Sequence, residues 1–72
     1  MLVLDNRGLQ PPEPMQRTLK VLEDLKTGET MKIINDRKPM FLFEELDQQG
    51  YSYQVEPLDA GGYEITITKK GG

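Results

Sequence analysis

Cysteine and histidine are both missing from this 72-residue chain. Without cysteine there is no disulfide, no thiolate metal site, no iron-sulfur cluster and no persulfide on a side chain. Without histidine the chain lacks the side chain that most often serves as general base near neutral pH and as metal ligand. Basic residues are also few: 9 Lys and Arg stand against 12 Asp and Glu, a net charge of -3. That balance disfavours nucleic acid, because binding a phosphate backbone rests on clustered cations. No apolar run approaches the ~20 residues needed to span a bilayer, and no basic stretch followed by an apolar run occurs near Met1. The expectation is a soluble cytoplasmic protein with no membrane partner.

Catalytic patterns are absent too. No glycine-rich phosphate loop, calcium loop or nucleophile elbow occurs, and Gly61-Gly62 sits between two strand patterns rather than before a helix. The acidic pairs Glu23-Asp24 and Glu44-Glu45 are neighbours on helices, so their side chains diverge and form no acid-base couple across a bond. The expectation is a protein that is not an enzyme and needs no cofactor or metal.

What the chain does have is an unusual stretch from Leu4 to Pro14, Leu-Asp-Asn-Arg-Gly-Leu-Gln-Pro-Pro-Glu-Pro. It follows a short apolar strand, Leu2 to Leu4, and places Pro12 and Pro14 where a helix begins, a position that tolerates proline because first-turn N-H groups have no internal acceptor. Met15, Leu19, Leu22 and Leu25, with Thr18 between them, then mark one face of an amphipathic helix over residues 12 to 26. Gly28 is read as its left-handed cap, with Lys26 in the last turn.

Thr30 to Ile34 reads as a strand buried mainly on one face. Pro39 opens a second helix whose inner face is Pro39, Leu42, Phe43 and Leu46 and which ends before Gly50. At about 100° per residue Phe41 lies far round that helix, so it is expected at least partly in solvent. Tyr51, Tyr53 and Val55, and then Tyr63, Ile65 and Ile67, alternate with polar residues, the period of two half-buried strands joined by an open turn over residues 57 to 62. One domain over residues 1 to 68 is expected, with residues 69 to 72 as a loose tail.

The order is strand, helix, strand, helix, strand, strand. Right-handed crossovers put both helices on one face, which gives an α+β fold, a two-layer α/β sandwich. Asp5-x-Arg7-Gly8-Leu9-x-Pro11-Pro12-x-Pro14 resembles the Asp-x-x-Gly-Leu-x-Cys-Pro-x-Pro motif of the TusA-like (SirA-like) sulfur carriers, whose cysteine holds a persulfide at the first turn of a helix. Pro11 stands where that cysteine would be, as in the cysteine-less, uncharacterised branch of the superfamily. The resemblance covers nearly the whole chain. It implies a mixed four-stranded sheet in the order 1-2-4-3 and carries the scaffold over without its nucleophile. Relatives in that branch often have a histidine near the second helix start; here the residue is Arg37, so no metal or haem role through such a histidine operates.

Both helices start at the carboxyl ends of strands, so Arg7 to Pro14 and Arg37 to Phe41 are expected along one edge. The candidate residues are Arg7, Gln10, Pro11, Glu13, Arg37, Lys38, Met40 and Phe41. Free N-H groups and nearby cations suit a small anion or a partner's carboxylate, whereas Glu13 and Asp36 can occupy the same donors. Asp5 and Arg7 are expected to pair with each other across the turn. Met40 and Phe41 have the composition of a small protein contact. The leading expectation is therefore a non-catalytic TusA-like interaction module, an accessory or regulatory domain with a protein partner. Two alternatives stay open: a sulfur carrier acting through the carboxylate of the C-terminal Gly71-Gly72 pair, and a small-anion or metabolite binder at the same edge.

Overall fold

The structure is a computed structural model that describes residues 1-71. The reading of Gly72 as a sulfur-carrying carboxylate lies outside the described residues. The elements are β1 (Leu2–Asp5), α1 (Glu13–Asp24), β2 (Thr30–Asn35), α2 (Met40–Gln49), β3 (Ser52–Pro57) and β4 (Tyr63–Thr68). They build a mixed sheet in the order β1-β2-β4-β3. β1 runs parallel to β2, and β4 runs antiparallel to both β2 and β3. This is the expected α+β architecture.

Register explains why both helices share one face. Met31 faces Ile67 and Ile33 faces Ile65 across β2 and β4, so all four side chains point the same way. They are fully buried with Leu22 of α1 and with Leu42 and Leu46 of α2. The other face carries Thr30, Lys32, Thr66, Thr68 and Glu64, where Lys32 bridges Glu64 at 3.2 Å. At the margin of the core Phe43 stacks on Tyr53, with ring centroids 4.7 Å apart. No helix among the described residues is long and apolar enough to cross a membrane.

The helix ends depart from expectation in ways that can be explained. Pro12 and Pro39 are caps rather than first helical residues, and Pro14 takes the second helical position. Gly50 closes α2 in the left-handed conformation, as a glycine there should. Gly28 does not cap α1. The helix stops at Asp24 because Leu25 turns extended, at φ -73° and ψ 139°, and packs its partly buried side chain against the core. Gly28, at φ +89°, instead sits in a separate turn closed by the Glu29 N-H donating to the Lys26 C=O at 2.9 Å. Lys26 therefore lies beyond the last turn, and another lysine serves the end of α1. The Lys69 ammonium donates to the Leu22 C=O at 2.6 Å. Lys69 also exchanges backbone hydrogen bonds with Gly28 and Glu29 at 2.7 and 3.0 Å. The residue expected to begin a loose tail is thus held against the end of α1 and the turn that follows it.

Candidate functional site

The first loop is built on Asp5. Its carboxylate accepts from the Arg7 backbone N-H at 3.0 Å and takes both arms of the Arg7 guanidinium, Nε at 3.0 Å and Nη2 at 2.8 Å. These hydrogen bonds and the adjacent charge lower the Asp5 pKa to about 2 and raise that of Arg7. The expected internal pairing is therefore present, and Arg7 spends its fork within the loop. Both partners are about half exposed, so the pair organises a turn in contact with water.

A pH dependence follows with a definite sign. The folded pKa of Asp5 lies below its ordinary value of 3.8, so the contribution of the pair is complete above that value and disappears as pH falls through about 2. An NMR titration of side-chain carboxyls is expected to place the Asp5 midpoint near 2, and Arg7→Gln should return it toward the ordinary range. A normal midpoint in the unaltered protein would mean that the fork does not persist in solution.

One hydrogen bond joins the two loops. The Gly8 N-H donates to the Asp36 carboxylate at 2.8 Å, which places the segment from Arg7 next to the one that leads through Arg37 and Lys38 into α2. Asp36 thus acts as an acceptor here, but for the first loop rather than for the start of its own helix. Neither helix has a side-chain hydrogen bond at its N-cap, so Glu13 caps nothing.

Few donors remain for an anion at α1. The Glu13 N-H donates to the Gln10 C=O at 3.0 Å and Pro14 has no N-H, which leaves Met15 alone among the described first-turn residues. Gln10 and Pro11 are exposed, and the Pro11-Pro12 peptide is cis. In the second loop the Lys38 ammonium lies 5.5 Å from the centre of the Tyr63 ring, an arrangement that holds it over β4. Arg37 is exposed and belongs to no salt bridge among the described residues. Met40 and Phe41 follow it with 62% and 76% of their surface exposed, which confirms the position of Phe41 read from helical spacing.

Beneath this edge lies a polar cluster that sequence reasoning passed over. Asn6, Thr18 and Asn35 are buried, and the Asn6 amide nitrogen donates to Thr18 Oγ1 at 3.2 Å and to Asn35 Oδ1 at 2.9 Å. The Thr18 hydroxyl in turn donates to the Pro14 C=O at 2.8 Å. Asn6 Oδ1 has no hydrogen-bond donor among the described residues. The three residues lock the ends of β1 and β2 to the first turns of α1, so the edge stands on a rigid base. The available signal was a small polar residue inside an apolar helical stripe. Two concavities, of about 400 and 220 Å³, lie elsewhere: one between the helices around Leu19 and Tyr51, the other beside β3 and β4 around Gln54 and Thr66.

A two-layer sandwich in the order β1-β2-β4-β3, with the Asp5 to Pro14 motif at the start of α1 and proline at position 11, defines a SirA-like scaffold without the carrier cysteine. The chain is similar to the crystal structure of a SirA-like protein from Desulfitobacterium hafniense, with 26% identity and a TM-score of 0.87 over 99% of this chain and 100% of that one. Residues 3-69 match the family described as an uncharacterized conserved protein, DUF2249, and the chain belongs to that family. No curated protein matches it.

Proposed function

We propose that this chain is a non-catalytic, cytoplasmic protein-interaction domain that docks through the start of α2. The observation that carries this reading is the juxtaposition of Met40 and Phe41, both largely exposed, with the unpaired cation Arg37. An exposed aromatic beside a flexible thioether is a common anchor of small protein contacts, and a guanidinium next to it selects a carboxylate. The matching partner presents an acidic residue beside an apolar one. Composition supports the absence of covalent work, since no thiol or imidazole is available in the whole sequence. Occupied donors at α1 weigh against a small anion as the ligand.

A photo-reactive amino acid placed at Phe41 is expected to cross-link one discrete protein in cells, and Arg37→Glu in the same background should reduce that product at least ~5-fold, by converting attraction to repulsion at the rim of the contact. The same probe at Gln54, on the open face of the sheet away from the helices, should yield none. Equal labelling from both positions would remove the surface from consideration. Because Arg37 and Phe41 are both exposed, these substitutions should leave folding stability within ~0.5 kcal/mol of the parent.

A further inference from the structure

The two outer strands of the sheet are finished differently. β3 carries Ser52, Gln54 and Glu56 on the open face and ends in Pro57; charge and proline are devices that keep an exposed strand from pairing with another chain. β1 has neither before Asp5. Leu2 and Val3 are 47% and 55% exposed, with Met1 more so, and they lie at the outer edge of the sheet. An edge left apolar and unguarded in a sheet whose other edge is guarded is suited to pairing.

The phase of the hydrogen bonds says how. The Asn6 N-H donates to the Ile34 C=O of β2 at 2.8 Å. Backbone groups in a strand alternate sides, so Leu2, Leu4 and Asn6 direct theirs at β2 while Val3 and Asp5 turn theirs outward. The outward C=O of Asp5 is already met by the Arg17 guanidinium at 3.4 Å. Val3 is left at the middle of the run with an outward N-H and an outward C=O. Two antiparallel residues that face one another can exchange both hydrogen bonds. If both are Val3, the axis between them is twofold, as a closed homodimer requires.

Charge argues that the occupant is a second copy. Arg17 and Asp24 are seven residues apart on α1, so they share one flank, and neither belongs to a salt bridge among the described residues. Arg17 lies at the Asp5 end of β1. The crossover helix runs back against its strand, so Asp24 lies toward the Met1 end. A twofold axis through Val3 reverses one copy on the other and directs each Arg17 toward Asp24 of the second chain. We propose that β1 is a homodimer seam centred on Val3, joining the sheets of two copies edge to edge. Val3 of each copy meets its mate on the open face, and Leu2 meets Leu4 on the helix face. This seam is independent of the Met40 and Phe41 surface, which belongs to α2.

A seam of one short strand is small, so the association is weak, with a dissociation constant on the order of 10 to 500 μM. Sedimentation velocity from ~20 μM to ~2 mM is expected to pass from monomer to dimer across that range. Val3→Pro deletes the outward N-H and leaves the donors that face β2, so it should weaken dimerisation at least ~10-fold while keeping the fold. A cross-link tests the same geometry without a proline. The chain has no cysteine of its own, and facing strand residues have Cα atoms ~5.5 Å apart, inside the range a disulfide spans. Val3→Cys should therefore form a covalent dimer in a glutathione redox buffer at least ~10-fold faster than Gln54→Cys on the opposite edge. A monomer throughout the concentration series, a dimer indifferent to Val3→Pro in a folded variant, or equal cross-linking from the two edges would overturn the proposal.

Discussion

Leu46→Ala is expected to leave the domain largely unfolded in dilute buffer at room temperature. Leu46 has no exposed surface and, with Leu42, buries the inner face of α2 in the same core as Ile33 and Ile65. Truncating a fully buried leucine costs ~2-5 kcal/mol, the transfer term plus the cavity it leaves. A single core in a chain of this size rarely supplies more than ~3-5 kcal/mol in total, so one such cavity removes most of the margin. Denaturant unfolding followed by circular dichroism should show either a midpoint shifted close to zero denaturant or no folded baseline. Phe41→Ala, at the start of the same helix and exposed, serves as the internal contrast and should barely move the curve. A cooperative transition for Leu46→Ala within ~1 kcal/mol of the parent would mean that α2 does not hold the sheet in the way described.

The second large effect is expected at Gly62. This residue has φ +85°, and a Cβ added there would lie 2.8 Å from the backbone oxygen of Asn35. Alanine at such a φ costs roughly 1-2 kcal/mol from local sterics alone. The overlap is with backbone, which cannot swing aside, so β4 must move off the end of β2 and the total should reach ~2-4 kcal/mol. Gly61 is the matched control. Its φ is +97°, but nothing lies within 4 Å of an added Cβ, so Gly61→Ala should show only the conformational part. Equal losses at the two positions would contradict the close approach. Because Asn35 also holds the Asn6 amide and Asp36 holds Gly8, the loss at Gly62 should be accompanied by shifted amide resonances in the loop from Arg7 to Leu9.

Much of this was legible before any coordinates. Two-residue alternation located β3 and β4, helical spacing placed Phe41 on the wet side of α2, and the right-handed crossover put both helices on one face. Each of these rests on a period that runs over many residues, so a single misread position does not disturb it. What escaped was decided by single contacts between distant parts of the chain. Gly28 looked like a helix cap because a glycine after a periodic stripe usually is one, yet Leu25 left the helix to reach the core. Lys69 looked like the start of a tail, and it is held by Leu22, Gly28 and Glu29. Asn6, Thr18 and Asn35 are scattered along the chain and come together only when β1, α1 and β2 pack. The candidate edge was legible as a place, because strand ends and helix starts set it. The Asp5–Arg7 pair was legible too, because its partners are two residues apart, but the use of Asp36 by Gly8 and the seating of Lys38 over Tyr63 were not, because those partners lie far apart in the chain and no spacing reveals their distance.

The most direct measurement concerns sulfur. If this scaffold works by contact alone, the purified chain incubated with a cysteine desulfurase and labelled cysteine, and separately with an adenylating enzyme, ATP and a sulfur donor, should keep its unmodified intact mass and carry no label. A chain that gains a sulfur atom, whether on a side chain or as a thiocarboxylate at Gly72, would contradict a role limited to docking.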